Sequence, residues 1–262
     1  MSRRLPGAGR ERLRGGFRVT TRDKEIVRWI GRLRMANAAQ VAERFRLGRA
    51  VTYARLRGLV HLGLLDHARI FHRAPGVYLA TRLGLASVDL ELPPARVDLR
   101  TYTHDLELAS LVVALESEYG PDSVRTEREM CAEETPRDAT SIARQRFAVP
   151  LTGASGQLEL TPARHRRLHF PDCAVIGAAA EGTNGALAIE LERTPKGRAR
   201  LRRILRGYVA ARHVSRVRYY VLSDRVRALV ESEVAAQHAE RLIEIRSWPR
   251  HGDYQAERST AA

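Results

Sequence analysis

The stretch that decides the fold reads Pro171-Asp172 and then, after a short gap, Ala186-Leu187-Ala188-Ile189-Glu190-Leu191-Glu192-Arg193-Thr194-Pro195-Lys196. Its apolar run predicts a buried strand that ends in acids, and Asp172 stands at the head of another predicted strand. An acid at the head of one strand and another at the end of the next can place two carboxylates side by side. A Mg2+-dependent phosphodiesterase centre requires such a pair.

The composition indicates a polyanionic partner. The chain has 262 residues, enough for one large domain or two modest ones, and a formal net charge of +15. Nucleic acid is the partner that such a charge favours. All but two of the Lys and Arg residues are arginine. A GC-rich genome would produce the same bias, so we infer a nucleic-acid partner from the net charge and not from the preference for arginine over lysine.

The remaining composition predicts a cytoplasmic, nucleoid-associated protein without a membrane partner. Cys131 and Cys173 lie far apart and outside any metal-ligand spacing, which is typical of reduced proteins without structural zinc. No apolar stretch approaches the roughly 20 residues of a membrane span, and the basic N-terminus lacks the apolar core of a signal peptide.

The first half of the chain predicts a disordered basic arm over residues 1–20, followed by an α+β winged helix-turn-helix domain over 21–90. With Thr21 as N-cap, apolar residues recur at helical spacing, and further helices are expected over 38–45 and 49–62. Gly63 ends the third helix. Residues 64–80 read as a hairpin with its turn at 74–76, and a short helix follows over 81–88.

The third helix and the hairpin carry the candidate DNA-binding residues. Valine and alanine on the solvent side of the helix suit thymine methyl groups, arginine suits guanine, and arginines of the hairpin suit phosphates. The same domain could instead serve protein contacts, with its arginines merely solvated. The candidates are Arg49, Val51, Arg55, Arg57, Arg69 and Arg73.

The second half predicts a linker over residues 91–102, an α/β domain over 103–248 and a tail over 249–262. A helix from His104 to Tyr119 opens the domain, and Ser123 to Glu129 is expected to be a strand. Beyond it, strands alternate with helices, which indicates a sheet covered by helices. The expected elements are strands near 173–176, 186–191, 217–222 and 242–245, a turn at 181–185, helices at 195–213 and 224–238, and a short strand at 157–160.

The order of these elements resembles the core of the PD-(D/E)XK nuclease superfamily. That resemblance implies Asp172 and Glu190 as ligands of Mg2+. Glu107 could add an outer carboxylate and Glu127 a further one, with an ordinary surface or salt-bridging acid as the alternative for each. The usual lysine position holds Glu192, which could bind metal or act as a base. Lys196, at the start of the next helix, is a candidate for a displaced catalytic lysine that orients water; a capping or phosphate-contacting role is the alternative.

The helix after this motif is rich in arginine, and Arg198 and Arg202 are its candidate phosphate contacts. Its expected buried stripe is Leu201, Ile204, Leu205 and Tyr208. The nearby segment with His165, Arg166, Arg167 and His169 invites a metal site, but it lacks ligand spacing, and we assign it to polar contacts or simple surface.

Several motifs together are similar to the replication-relaxation proteins of actinobacterial plasmids and integrative elements. The resemblance covers most of residues 20 to 225 and implies a winged-helix DNA-binding domain joined to a nuclease-like domain. It also implies a role in replication, mobilisation or control of a mobile element. The motifs are Thr21-Arg22-Asp23-Lys24-Glu25-Ile26, the segment 55–65, His104-Asp105, Pro171-Asp172, Glu190-Leu191-Glu192-Arg193-Thr194, Lys196 and Tyr208.

Three hypotheses follow. The first is a sequence-specific double-stranded DNA-binding protein of a mobile element, in which the winged helix reads a site and the second domain engages adjacent DNA. If the second domain is inactive, the same fold could form a homodimer and the chain would be a transcriptional regulator. The second is an active Mg2+-dependent endonuclease or nickase. The third is a protein-interaction adaptor, which would leave the charge unexplained.

Overall fold

The structure is a computed structural model that describes residues 17–134, 146–151, 168–177 and 185–248. In these ranges the protein is mixed α/β, with eight helices and a mixed five-stranded sheet. The start of the arm (1–16), the tail (249–262), the strand expected at 157–160, His165 to Arg167 and most of the turn 181–185 lie outside the described residues.

The chain divides into two compact units. Unit 1 comprises residues 1–31 and 37–95, and unit 2 comprises residues 32–36 and 96–262. The break between 95 and 96 falls inside the segment expected to be a linker, whereas the grouping of residues 32–36 with unit 2 had no sequence signal. No helix in the described part of the chain combines the length and apolarity needed to cross a membrane.

Unit 1 contains four helices and three short strands, except that Arg32 at the end of α1 and Ala36 of β1 group with unit 2. Strand β2 runs antiparallel to β3, and the sheet order is β1-β3-β2. The helices agree with the predicted ones to within one or two residues at each end. The elements are α1 (Thr21–Arg32), β1 (Ala36–Asn37), α2 (Ala38–Phe45), α3 (Arg49–His61), β2 (Leu65–Ala68), β3 (Val77–Ala80) and α4 (Arg82–Ser87).

Local capping explains where these helices begin and end. The prediction of Thr21 as the cap of α1 was wrong by one residue: the Thr20 hydroxyl accepts from the Asp23 backbone N–H, while Asp23 Oδ2 accepts from the Thr20 N–H at 2.8 Å. Asn37 and Gln40 form a reciprocal capping box at α2. After α3 the chain turns at Gly63, whose φ of +69° favours glycine, so this predicted helix stop is confirmed.

The core of unit 1 lies between its helices and the hairpin. Leu56 and Leu59 of α3 are buried as predicted, but Val60 is only half-buried and Thr52 takes the next inward position. The Thr52 hydroxyl donates to the Gly48 carbonyl one turn earlier, which satisfies it inside. The other fully buried apolar residues of this core are Ile26, Val27, Ile30, Val41 and Val77.

Unit 2 alternates strands and helices. The expected strand over Ser123–Glu129 was wrong in its second half: the chain turns into a helix at Glu127 because Thr126 and Glu129 form a capping box. The elements are α5 (Tyr102–Tyr119), β4 (Val124–Thr126), α6 (Glu127–Glu133), β5 (Val149–Pro150), β6 (Leu168–His169), β7 (Cys173–Val175), β8 (Ala186–Glu192), α7 (Arg198–Ala210), β9 (Val214–Val221), α8 (Asp224–Ala236) and β10 (Ile243–Ser247).

The main sheet has the order β10-β9-β8-β7-β4. Strands β8, β9 and β10 run parallel, and β7 and β4 join antiparallel. Helix α7 turns its predicted stripe, Leu201, Ile204, Leu205 and Tyr208, into the same core as Val217 and Tyr219 of β9. Strand β8 is buried along its whole length, so its two terminal acids lie inside the protein.

Candidate functional site

Asp172, Glu190 and Glu192 lie where β7 begins and β8 ends. Cys173 pairs with Ile189, and extending this antiparallel register by one residue places Asp172 opposite Glu190. Glu190 and Glu192 share one face of β8, since successive side chains alternate. We call the group the β7–β8 cluster; its members are His104, His169, Asp172, Glu190, Glu192, Lys196 and Tyr208.

Glu190 occupies the centre of the cluster, with 1% of its surface exposed. Its Oε1 accepts from the Tyr208 hydroxyl and lies 2.6 Å from His169 Nε2. Burial and the neighbouring carboxylate raise the pKa of Tyr208 well above its usual range, so its hydroxyl stays protonated and can donate. Helix α7 and strand β6 therefore both hold this carboxylate in place.

Lys196 lies between the two glutamates. Its Nζ is 2.7 Å from Glu192 Oε2 and 3.9 Å from Glu190 Oε2. Burial works against the charge of this ammonium, but the two glutamates and Asp172 outweigh it and raise the lysine pKa. Burial likewise raises the pKa of Glu192, and Lys196 counteracts this. The structure thus places Lys196, the candidate displaced lysine, beside both glutamates.

Asp172 pairs with α5 and with the strand beside it. Its Oδ2 accepts from the Leu191 backbone N–H at 2.7 Å and lies 3.5 Å from His104 Nε2. The other ring nitrogen of His104 is 3.7 Å from Asp105. Burial alone would lower the pKa of His104, but the two aspartates outweigh it and raise the pKa to about 10. His104 is therefore an imidazolium at neutral pH.

Stability should fall with rising pH through His104. Its folded pKa of about 10 lies above the unfolded value of about 6.5, so the folded state binds the extra proton between these values. The contribution of His104 to the free energy of unfolding is complete below about pH 6.5 and is lost as the pH rises through about 10. We expect the stability gap between wild type and His104→Gln to narrow over this window.

Urea unfolding at pH 6, 8 and 10 measures this gap. Trp29 belongs to unit 1 and Trp248 to unit 2, so a Trp29→Phe background leaves Trp248 to report on unit 2 alone. The exposed His72 provides the control, since His72→Gln should leave stability unchanged at each pH. A gap that stays constant from pH 6 to 10 would contradict a charged His104.

Protein groups already contact the carboxylates that were expected to bind Mg2+. Mg2+ binds carboxylate oxygens that are accessible and arranged in near-octahedral geometry. Here Glu190 Oε1 already accepts hydrogen bonds from two side chains, and the Lys196 ammonium lies between Glu190 and Glu192. Within the described ranges, no three His, Cys, Asp or Glu side chains form a group suited to a metal. Glu107, the expected outer ligand, is buried on α5 three residues after His104.

The second candidate surface is the solvent side of α3. Val51 is 50% exposed and Tyr53 is 40% exposed. Arg49 and Arg57 are also exposed, with the Arg49 guanidinium 5.9 Å from the centre of the Tyr53 ring. Arg49, Tyr53 and Arg57 follow one another at i, i+4 spacing on one side of this exposed surface, and Val51 lies on its other side. An exposed helix surface that presents arginines together with apolar side chains has the chemistry to meet phosphates and base edges.

Arg55 is not part of this open surface. Its Nη1 lies 3.2 Å from Oδ2 of Asp23, which is buried beneath it, and its guanidinium stacks 5.4 Å from the centre of the Phe17 ring. A substitution of Arg55 would therefore alter the attachment of α3 to α1 as well as any contact with a ligand.

The remaining predicted arginines fall into two groups. Arg69 and Arg73 are exposed in the hairpin loop, beside the half-exposed Phe71. Arg198 and Arg202 on α7 instead both pair with Glu233, a buried acid of α8, at 3.4 and 3.0 Å. This pairing ties the two helices together.

The sequence analysis did not identify two neighbours of Glu190, His169 and Tyr219. His169 was assigned to polar contacts or simple surface, and it does make a polar contact, to Glu190 at 2.6 Å. That Glu190 is its partner was not predicted, and its place three residues before Asp172 was the available signal. Tyr219 lies beside Glu190 in the parallel β8–β9 register, which the sequence does not reveal. Its hydroxyl is buried, and among the described residues it has no hydrogen-bond partner.

Comparison of the chain with known protein families, with curated proteins and with solved structures finds no match.

Proposed function

We propose that this chain is a sequence-specific double-stranded DNA-binding protein. Residues 21–90 act as a winged helix-turn-helix in which α3 enters the major groove and the β2–β3 hairpin lies over the phosphates. The observation that carries this proposal is the solvent side of α3, which exposes the apolar Val51 and Tyr53 as well as Arg49 and Arg57. The net charge of +15 supports it, because phosphate neutralisation supplies much of the affinity for DNA.

Unit 2 is proposed to have a nuclease-like fold whose acids act in stability and not in cleavage. The closed contacts of Glu190 and the ammonium between the two glutamates favour this alternative over an active Mg2+ endonuclease. A place in the replication, mobilisation or regulation of a plasmid or integrative element rests on the resemblance to replication-relaxation proteins. Action as a homodimer at a two-fold-symmetric site is part of the same proposal.

The test incubates the purified chain with supercoiled DNA that carries the upstream region of its own gene, with Mg2+, with Mn2+ or with chelator. We expect retarded but intact DNA under all three conditions. Metal-dependent nicking that disappears in both Asp172→Ala and Glu190→Ala would overturn the assignment of unit 2 and establish an endonuclease. Weak binding that hardly changes with salt would instead favour a protein-interaction adaptor.

A further inference from the structure

Strand β10 forms one edge of the main sheet. Among the described strands it pairs with β9 alone, in parallel, from Ile243 to Ser247. An edge strand presents backbone N–H and C=O groups with which a further strand can pair. This edge is accessible, because Arg246 and Ser247 are exposed and Ile245 is half-buried.

The hydrogen bonds at the two ends of β10 show which of its backbone groups face outward. The Leu242 carbonyl accepts from the Val217 N–H, and the Trp248 N–H donates to the Val221 carbonyl, both at 2.9 Å. The backbone groups of successive residues in a strand point to alternate sides. The even-numbered residues of β10 therefore direct their N–H and C=O groups at β9, and the odd-numbered residues direct theirs at the open edge.

Ile245 is the central residue of this open edge. Its N–H and C=O both face outward, whereas the N–H of Ile243 donates to the Ala239 carbonyl at 2.9 Å. In an antiparallel pair of strands, two facing residues of this kind exchange both of their backbone hydrogen bonds. A two-fold axis at Ile245 would let two copies of β10 form such a pair with each other.

The charges of β10 are self-complementary in this arrangement. Glu244 and Arg246 flank Ile245 on one face of the strand, with Glu244 Oε1 and Arg246 Nε 2.6 Å apart. An antiparallel pairing centred on Ile245 places Glu244 of each copy directly opposite Arg246 of the other. Opposite charges at facing positions stabilise a strand pair, whereas an edge with charges of a single sign would repel its own copy.

We infer that β10 is a dimer interface: two copies of this chain pair antiparallel through their β10 edges about a two-fold axis at Ile245, which joins their main sheets into one. The inference names the surface of the homodimer contained in the proposed function and rests on that part of it. Glu244 also pairs with the buried Arg218 at 2.9 Å, so this acid is held in place before a second copy binds.

The experiment measures the association of the full chain without DNA by sedimentation equilibrium, from about 1 to about 100 µM. We expect wild type to dimerise in this range. Ile245→Pro should be monomeric and keep its far-UV CD spectrum, because proline removes an N–H that faces the open edge, a place where edge strands tolerate it. A wild type that is monomeric at every concentration would overturn the inference, and DNA binding by that monomer would leave the rest of the proposed function intact.

A change of charge tests the facing pairs. Arg246→Glu should raise the dissociation constant of the dimer at least ~10-fold, because it places acids opposite acids. Arg212→Glu makes the same change at an exposed position before β9 and should alter the constant far less. Dimers that persist unchanged in either Ile245→Pro or Arg246→Glu would place the interface elsewhere and overturn the inference.

Cysteine cross-linking tests the register, in a Cys131→Ser background that lacks the exposed native thiol. Facing residues that exchange hydrogen bonds have Cα atoms about 5.5 Å apart, within the range of disulfides, so Ile245→Cys should give a covalent dimer on oxidation. Ser247→Cys is the control, because its two copies would lie roughly 13 Å apart along the strands. Any result other than preferential cross-linking of Ile245→Cys would overturn the two-fold axis at Ile245.

Discussion

Val51→Glu is expected to weaken DNA binding about 100-fold while leaving the fold unchanged. Half of the Val51 side chain is exposed on α3, so a glutamate there meets water in the free protein and requires no repacking. In the complex it would lose an apolar base contact and bring a carboxylate against the polyanion, a combined loss near the upper end of the about 1–3 kcal/mol that one mismatched base pair costs. Fluorescence anisotropy with a duplex from the upstream region of the gene measures the loss.

Val209 offers a matched control for this substitution. It is 53% exposed near the end of α7 in unit 2, so Val209→Glu makes the same chemical change at nearly the same exposure. We expect less than a threefold effect on affinity from it. Equal losses of affinity in the two variants would show that net charge alone sets the affinity, and would contradict the proposal that α3 enters the major groove.

Lys196→Met is expected to destabilise unit 2 by about 3 kcal/mol at pH 7. Removing one partner of a buried ion pair typically costs 3–5 kcal/mol, and here Lys196 faces both Glu190 and Glu192. Its partial exposure places the expected loss at the low end of that range. Urea unfolding followed by Trp248 fluorescence in the Trp29→Phe background measures it.

Two further variants identify the cause of this loss. Lys24, the other lysine of the chain, is exposed on α1, so Lys24→Met should leave the stability of unit 2 unchanged. Glu192→Gln added to Lys196→Met should restore part of the stability, since it removes one uncompensated charge. No recovery in that double variant, or no loss in Lys196→Met, would contradict an ion pair that stabilises the fold.

Acidity should act on the Lys196→Met variant in a definite direction. Burial raises the pKa of Glu192 above its ordinary value, and loss of the ammonium raises it further. A carboxyl group whose pKa is higher in the folded than in the unfolded state lowers the free energy of unfolding as the pH rises above its unfolded pKa. The deficit relative to wild type should therefore be smaller at pH 5 than at pH 7.

The elements that depend on local signals could be predicted from the sequence. Helix α2 follows from its apolar spacing and from Asn37 as its cap, and Gly63 marks the end of α3. The helix at Glu127 was missed although its signal was local, because the Thr126–Glu129 capping box was taken as part of a strand. Capping residues deserve the same weight as apolar alternation when a segment is this short.

The site was only partly predictable because its contacts join distant parts of the chain. Asp172, Glu190 and Lys196 could be grouped because an antiparallel pair of strands was expected. Tyr219 lies beside Glu190 through parallel pairing across α7, and that register is set by packing. Arg55 looked free on the helical wheel, and its buried partner Asp23 lies 32 residues earlier in the chain.

The division of unit 2 into two stretches of sequence has a consequence for how the protein is made. Residues 32–36 leave the ribosome before most of unit 1, yet Arg32 pairs with Glu116 at 2.8 Å and with Glu129 at 2.7 Å. Unit 1 is complete once residue 95 has been synthesised, and domains usually fold in the order of synthesis. The acids that pair with Arg32 are therefore synthesised about a hundred residues after it. Unit 2 thus includes a segment, residues 32–36, that is synthesised long before the residues it pairs with.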